Sequence, residues 1–263
     1  MDLGLRGKVA VVAAASKGLG RAVAEELAAE GARVLICARG REALETASRE
    51  MASRTGAEVR AVAADLSTSE GIDLVAREAL DAFGRVDILV NNAGGPPSGP
   101  FEKHAWEEWE KAVHLNLRSA VELTRRLLPG MRERKWGRIL NITSIAVKQP
   151  VDGLMLSNSI RAAVTGWART LASEVAMDGV TVNNVLPGYT RTDRVVQLNA
   201  ATASREGIDA VEVQRRVEAQ IPMHRMAEPR EFGAVVAFLA SDRASYVTAQ
   251  SVAVDGGWIR SLL

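Results

Sequence analysis

KVAVVAAASKGLGRAVAEELAA, residues 8 to 29, reads in order as a buried strand, a glycine-bearing turn and an amphipathic helix. Val9 to Ala13 form an unbroken apolar run, which suits a strand covered on both faces, as in a parallel sheet. After the turn, Ala22, Val23, Glu26, Leu27 and Glu30 fall at helical spacing with one apolar face. Gly18 and Gly20 stand where the helix begins. The backbone can therefore approach a ligand closely there, and the free amides of the first turn point outward at a diphosphate.

The same unit repeats along the chain. Apolar runs recur at Arg33 to Ala38, Val59 to Ala63, Val86 to Val90, Arg138 to Ile142, Thr181 to Leu186 and Val252 to Val254, with helical stretches between them. Parallel neighbours need crossover connections, so this alternation predicts an α/β fold: a single doubly wound Rossmann-type domain over residues 1–263, with a parallel sheet of about seven strands flanked by helices. No linker or low-complexity segment divides the chain. Two loops stand out. Gly94 to Pro100 (GGPPSGP) follows the fourth strand at its carboxyl end, where ligands bind in open α/β sheets. The polar segment from Pro187 to Pro229 follows the sixth strand, and its part at about 188–226 is expected to cover a substrate. Within it, Val195 to Gln220 reads as helical, mixing apolar residues with charges.

At 263 residues, with 47% hydrophobic content and a quarter charged, the chain can bury a sizeable core. A formal net charge of +1 supplies no global basic field, so no nucleic-acid partner is expected. No run approaches the roughly 18 apolar residues of a membrane span, and the amino terminus lacks a long apolar core before a cleavage site. A soluble, cytoplasmic protein with no membrane association is expected. The single cysteine, Cys37, rules out an internal disulfide and a cysteine-based metal cluster, and reads as a buried structural thiol. No pair of histidines has metal spacing with a carboxylate partner, so no metal is expected. His104 is read as a cap or solvent-facing residue, His114 precedes Asn116, and Trp106 and Trp109 are read as an oligomer or core face.

Taken in order, these motifs resemble those of the short-chain dehydrogenase/reductase family, and within it the group around 3-oxoacyl-acyl-carrier-protein reductase. The resemblance runs from Gly7 to Trp258. Ala14, Ala15, Ser16, Lys17, Gly18, Leu19 and Gly20 match the TGxxxGxG turn, with Ala14 where the first glycine is expected; an alanine there narrows the turn's freedom. Asp65, ending the third strand and followed by Leu66, matches the acid that meets the adenine ring. Asn91, Asn92, Ala93 and Gly94 reproduce the NNAG motif, and Pro187, Gly188, Tyr189 and Thr190 lie in the loop that borders the nicotinamide. Trp258, in VAVDGGW, falls in the family's last strand and turn, which commonly pairs subunits, so the resemblance implies a homotetramer.

Cofactor preference has its own physical signal. An NAD site places a carboxylate at the end of the second strand to meet the ribose hydroxyls. Here the strand ends Cys37, Ala38, Arg39, with no acid. Arg39 can fork onto a 2′-phosphate and Lys17 adds a second positive charge, so NADP(H) is favoured over NAD(H).

The resemblance also implies a catalytic set. Ser144, in NITSIAV, matches the serine that orients the carbonyl, and Asn116, in HLNLRS, matches the asparagine of a water relay. The expected YxxxK motif reads instead Ser157, Asn158, Ser159, Ile160, Arg161, so a serine stands for the tyrosine and an arginine for the lysine. A phenol, with a reference pKa near 10, can be tuned toward neutrality by adjacent positive charge, whereas an aliphatic hydroxyl is far too weak an acid. Ser157 is also shorter by roughly the depth of a ring, so a water must bridge it to a carbonyl. Arg161 still supplies positive charge and donors for the ribose. Lys148, in SIAVKQP, is a candidate replacement proton donor, and Tyr189 a second. The expected function is NADP(H)-dependent hydride transfer between the cofactor and a small-molecule ketone, 3-oxoacyl thioester or secondary alcohol, by an altered proton relay. The alternative is a dinucleotide-binding sensor or partner subunit without turnover.

Overall fold

The computed structural model describes residues 2–262. In chain order it runs β1 (Val9–Ala13), α1 (Gly18–Ala29), β2 (Arg33–Ala38), α2 (Arg41–Thr55), β3 (Val59–Ala63), α3 (Ser69–Phe83), β4 (Ile88–Asn91) and α4 (Trp106–Ala112). It continues with α5 (Ser119–Glu133), β5 (Gly137–Ile142), α6 (Met155–Val175), β6 (Val180–Pro187), α7 (Asp193–Glu206), α8 (Ala210–Gln220), α9 (Pro229–Ala240) and β7 (Ser251–Val254). All seven strands are parallel, in the order β3-β2-β1-β4-β5-β6-β7. The order reverses between β1 and β4. Helices lie on both faces, as the alternating sequence predicts.

The period-2 geometry of β1 explains why its run is apolar throughout. Ala10 and Val12 pack with α1, α2 and α9, while Val9, Val11 and Ala13 face the layer that includes α3, α5 and α6. Fully burying each large aliphatic side chain contributes about 1.5–3 kcal/mol, so both faces drive assembly. Cys37 is buried in the same sheet as a free thiol, and burial pushes it up to about 12.

Several boundaries differ from the sequence reading. The fourth strand begins at Ile88 rather than Val86. Asp87 is buried there and its carboxylate accepts the Val9 amide at 2.9 Å, with Arg85 at 2.9 Å and Arg134 at 3.6 Å beside it. A charged clamp thus precedes the strand proper. The helical stretch after Val195 is two helices, α7 and α8, separated at Gly207, whose φ of +67° ends the first. His104 neither faces solvent nor opens α4. It is buried, with Nδ1 2.8 Å from Glu108 Oε2 and Nε2 3.3 Å from the Gly99 carbonyl, tying the GGPPSGP loop to α4. Trp106 is exposed, whereas Trp109 packs against the small cluster of Ala112, Leu156 and Ile160.

Candidate functional site

A cleft of about 470 Å³ opens at the carboxyl ends of β1 to β6, where the strand order reverses. The turn after β1 forms one wall. Ala14 adopts φ +49° and Gly18 φ +61°, the left-handed region in which a non-glycine residue is strained. A Cβ at Gly20 would collide with the Ala14 carbonyl and come within 2.8 Å of Asn92 Nδ2, so α1 can start this close to the strand only with glycine. Asn92 Nδ2 donates to the carbonyls of Ala13 at 3.2 Å and Ala14 at 3.4 Å, fastening the end of β4 to the turn. No side chain caps the first turn of α1, whose amides are left for another acceptor. Ala14, Ser16, Lys17, Gly18, Leu19 and Gly20 all line the cleft.

At one end of the cleft lie Arg39, from the end of β2, and Asp65 and Leu66, from the end of β3. Asp65 Oδ1 accepts the Ser67 amide at 2.9 Å and the Ser67 hydroxyl at 2.8 Å. These bonds, led by the backbone amide and helped by the nearby Arg39, hold its carboxyl below the usual range. Lys17 Nζ meets Asp193 Oδ2 at 2.8 Å, an exposed pair that ties the glycine turn to the start of α7.

Toward the other end stand Asn92, Ala93 and Gly94, then Ser144, Ser157 and Arg161, and from the loop after β6 Pro187, Gly188, Tyr189 and Thr190. Ser144 Oγ accepts the Ala146 amide at 3.1 Å, which orients the oxygen and leaves the hydroxyl proton for another partner. Ser157 and Arg161 are one helical turn apart on α6 and both line the cleft. Arg161 Nη1 donates to the carbonyls of Ile142 at 2.8 Å and Thr143 at 2.9 Å, and Nη2 to that of Ala93 at 3.4 Å. Three of its five donors are thus committed to the frame. Burial, with Arg194 adding repulsion, lowers this guanidinium to about 10, and it stays charged at neutral pH.

Asn116 does not line the cleft. It sits in a π-helical turn, Val113–Arg118, and borders a smaller cavity of about 20 Å³ that shares Arg161, Thr143 and Asn92 with the main one. Its Nδ2 donates to the Ala112 carbonyl at 3.2 Å, while Oδ1 is buried without a protein partner. Lys148 lies at the end of a short 3₁₀ turn, Ile145–Val147, and is not among the lining residues. The structure therefore does not bring it into the cleft with the other candidates. Tyr189 packs edge-on to Trp258 with ring centroids 5.9 Å apart, and burial pushes its phenol up, making it a weaker acid than a free tyrosine.

The segment expected to cover a substrate does reach the cleft through α7, but sequence reasoning missed Arg194 within it. Arg194 lines the cleft and its Nη2 donates to the Pro96 carbonyl at 2.8 Å. The apolar lining of Val151, Leu154 and Leu198 was also missed. Nothing in their local pattern distinguishes them from surface or core positions. Among the described residues, no group of three or more His, Cys, Asp or Glu could hold a metal, and no helix is long and apolar enough to cross a membrane.

A family model described as Enoyl-(Acyl carrier protein) reductase matches residues 13–259. The chain is 36% identical over 255 residues to a 3-oxoacyl-acyl-carrier-protein reductase of Vibrio cholerae, covering 97% of this chain and 98% of that one. It is 34% identical over 252 residues to an acetoacetyl-CoA reductase of Acinetobacter sp., covering 95% and 96%. Among solved structures, L-sorbose reductase from Gluconobacter frateurii, complexed with NADPH and L-sorbose, is similar with a TM-score of 0.95 at 36% identity, covering 100% of both chains. An actinorhodin polyketide ketoreductase with NADPH gives a TM-score of 0.93 at 34% identity, covering 97% of this chain and 98% of that one.

Proposed function

The chain belongs to the short-chain dehydrogenase/reductase family, and from that premise we propose that it is an NADP(H)-dependent oxidoreductase acting on a carbonyl or secondary alcohol by an altered proton relay. The observation that carries this reading is that one cleft joins the glycine turn and Arg39 to Ser144, Ser157 and Arg161. The residues present fit a dinucleotide: the first turn of α1 is uncapped, and Gly20 allows the close approach. When bound, the dinucleotide supplies or accepts the hydride.

The chain's own residues do the rest. The turn amides and Lys17 hold the diphosphate, and Arg39 forks onto a 2′-phosphate at the end of β2. The Lys17–Asp193 pair does not prevent this, because an exposed pair is worth only about 0–1 kcal/mol and yields to a phosphate. Ser144, its oxygen fixed by the Ala146 amide, donates a hydrogen bond to the substrate oxygen and orients it. The Arg161 charge stabilises negative charge developing there, through the two donors not committed to carbonyls. Ser157 is too weak an acid to replace a phenol and instead holds a water that relays a proton from bulk solvent to the substrate oxygen. Asn116 Oδ1 accepts from a water behind Arg161.

The test combines binding and turnover. NADPH fluorescence on binding should be retained in Ser144→Ala, while its oxidation with 3-oxoacyl thioesters or ketones falls by about 100-fold, the scale of a lost positioned donor. Equal turnover by wild type and Ser144→Ala would remove the assignment.

A further inference from the structure

Successive residues at the start of α7 reach opposite walls of the cleft. Asp193 pairs with Lys17 on the phosphate turn, whereas Arg194 turns to the loop after β4, where its guanidinium packs on Gly95 and bonds the Pro96 carbonyl. That loop begins at Ala93, whose carbonyl Arg161 takes. Two guanidiniums therefore flank the segment 93–96. Among the described residues Arg194 has no acidic partner. The only carboxylates in the lining are Asp65, at the far end, and Asp193, already paired. Arg194 is half-buried, and the neighbouring lining of Val151, Leu154, Val195 and Leu198 is apolar.

A half-buried guanidinium held beside a second one, without a counter-ion, is a waiting anion site. The diphosphate end is already supplied by the α1 amides and Lys17, on the wall that Arg194 turns away from. Resting on the oxidoreductase reading above, we infer that Arg194 binds a carboxylate of the substrate. The substrate class is then a keto acid or hydroxy acid: a carboxylate within a few bonds of the reacting oxygen, carried on an apolar stem. Arg194 fixes the charged end while the apolar lining takes the stem, so the reacting carbon is aligned before chemistry.

The test is calorimetric. Wild type, Arg194→Leu and Arg194→Lys are saturated with NADP+ and titrated with 3-hydroxyhexanoate and with its methyl ester. NADPH affinity and thermal unfolding are measured on the same preparations. The expected result is at least tenfold tighter binding of the acid than of the ester by wild type. The preference is lost in Arg194→Leu and partly kept in Arg194→Lys, and NADPH affinity is unchanged in both. Equal affinity for acid and ester, including no binding of either, would overturn the inference. So would a preference that survives in Arg194→Leu. A tenfold loss of NADPH affinity in Arg194→Leu would assign the guanidinium to the cofactor's phosphates instead. The oxidoreductase reading fails separately: acid preference without reduction of NADP+ leaves the anion site standing and removes only the turnover.

Discussion

The Arg161 guanidinium donates to the Ile142 carbonyl at 2.8 Å, and this bond, with its neighbour to Thr143, pins α6 to the end of β5. The residue that supplies the site's interior charge is therefore also part of its frame. Arg161→Ala strips donors from three carbonyls, those of Ile142, Thr143 and, at the longer 3.4 Å, Ala93, at a cost of about 2–3 kcal/mol. In a chain of this size that lowers the melting temperature by about 4–12 °C. Arg161→Lys restores one donor and the charge, and should recover roughly half of the loss. Thermal unfolding of the three proteins checks the order.

Ala14 carries a strained backbone at φ +49° in the glycine turn. Glycine there removes a left-handed penalty of about 1–2 kcal/mol but loosens the unfolded chain by about 0.4–1 kcal/mol. Ala14→Gly should raise stability by about 0–1.6 kcal/mol and leave NADPH affinity the same or tighter, measured by denaturant unfolding and fluorescence titration. A destabilised variant would contradict the strain.

Gly20 is the converse case. A methyl there meets the Ala14 carbonyl, so Gly20→Ala should cost about 1–3 kcal/mol and weaken NADPH binding by tenfold or more, because α1 must shift away from the turn. Ala14→Gly beside Gly20→Ala should not restore binding, since the clash is with the backbone.

On the proposed reading, Arg39 separates the two cofactors. Its removal takes away a charge-assisted contact of about 1.5–3 kcal/mol that only NADPH makes. Arg39→Ala should weaken NADPH by roughly tenfold to a hundredfold and leave NADH unchanged in side-by-side titrations. Equal losses for both would place the guanidinium elsewhere.

Cys37 gives a pH signature. Burial raises its folded value to about 12, so its contribution to stability is complete below the unfolded value near 9 and is lost as pH rises through 12. Between those limits the unfolded state binds fewer protons, and stability falls by about 1.4 kcal/mol per pH unit from this group. The difference between wild type and Cys37→Ala should therefore be flat below about pH 8 and shift steadily against wild type above about pH 9, read by denaturant unfolding.

The amino-acid pattern reveals some of these features and hides others. Strands are legible in it because burial on both faces demands apolar residues at every position, as in Val9–Ala13. The start of β4 is not, because Val86 looks like strand while the buried Asp87 beside it acts as a clamp, and a local pattern cannot report a partner such as the Val9 amide, 78 residues away. The glycine turn, Arg39 and Asp65 are legible as local motifs at strand ends, and the fold gathers them in one cleft. Arg194 is hidden because its neighbours Gly95 and Pro96 come from a distant loop. Lys148 misleads for the opposite reason: proximity to Ser144 along the chain does not make it one of the residues that line the cleft.

The most direct measurement is NADPH oxidation against a panel of ketones, keto acids and 3-oxoacyl thioesters, run for the wild-type chain and for a Ser157→Tyr, Arg161→Lys double variant. Stereospecific hydride transfer by the wild type is expected, with Ser157 and Arg161 as they stand. Silence from the wild type on every compound, with turnover appearing in the double variant, would contradict it: the cleft would then bind and align both partners without completing the proton transfer.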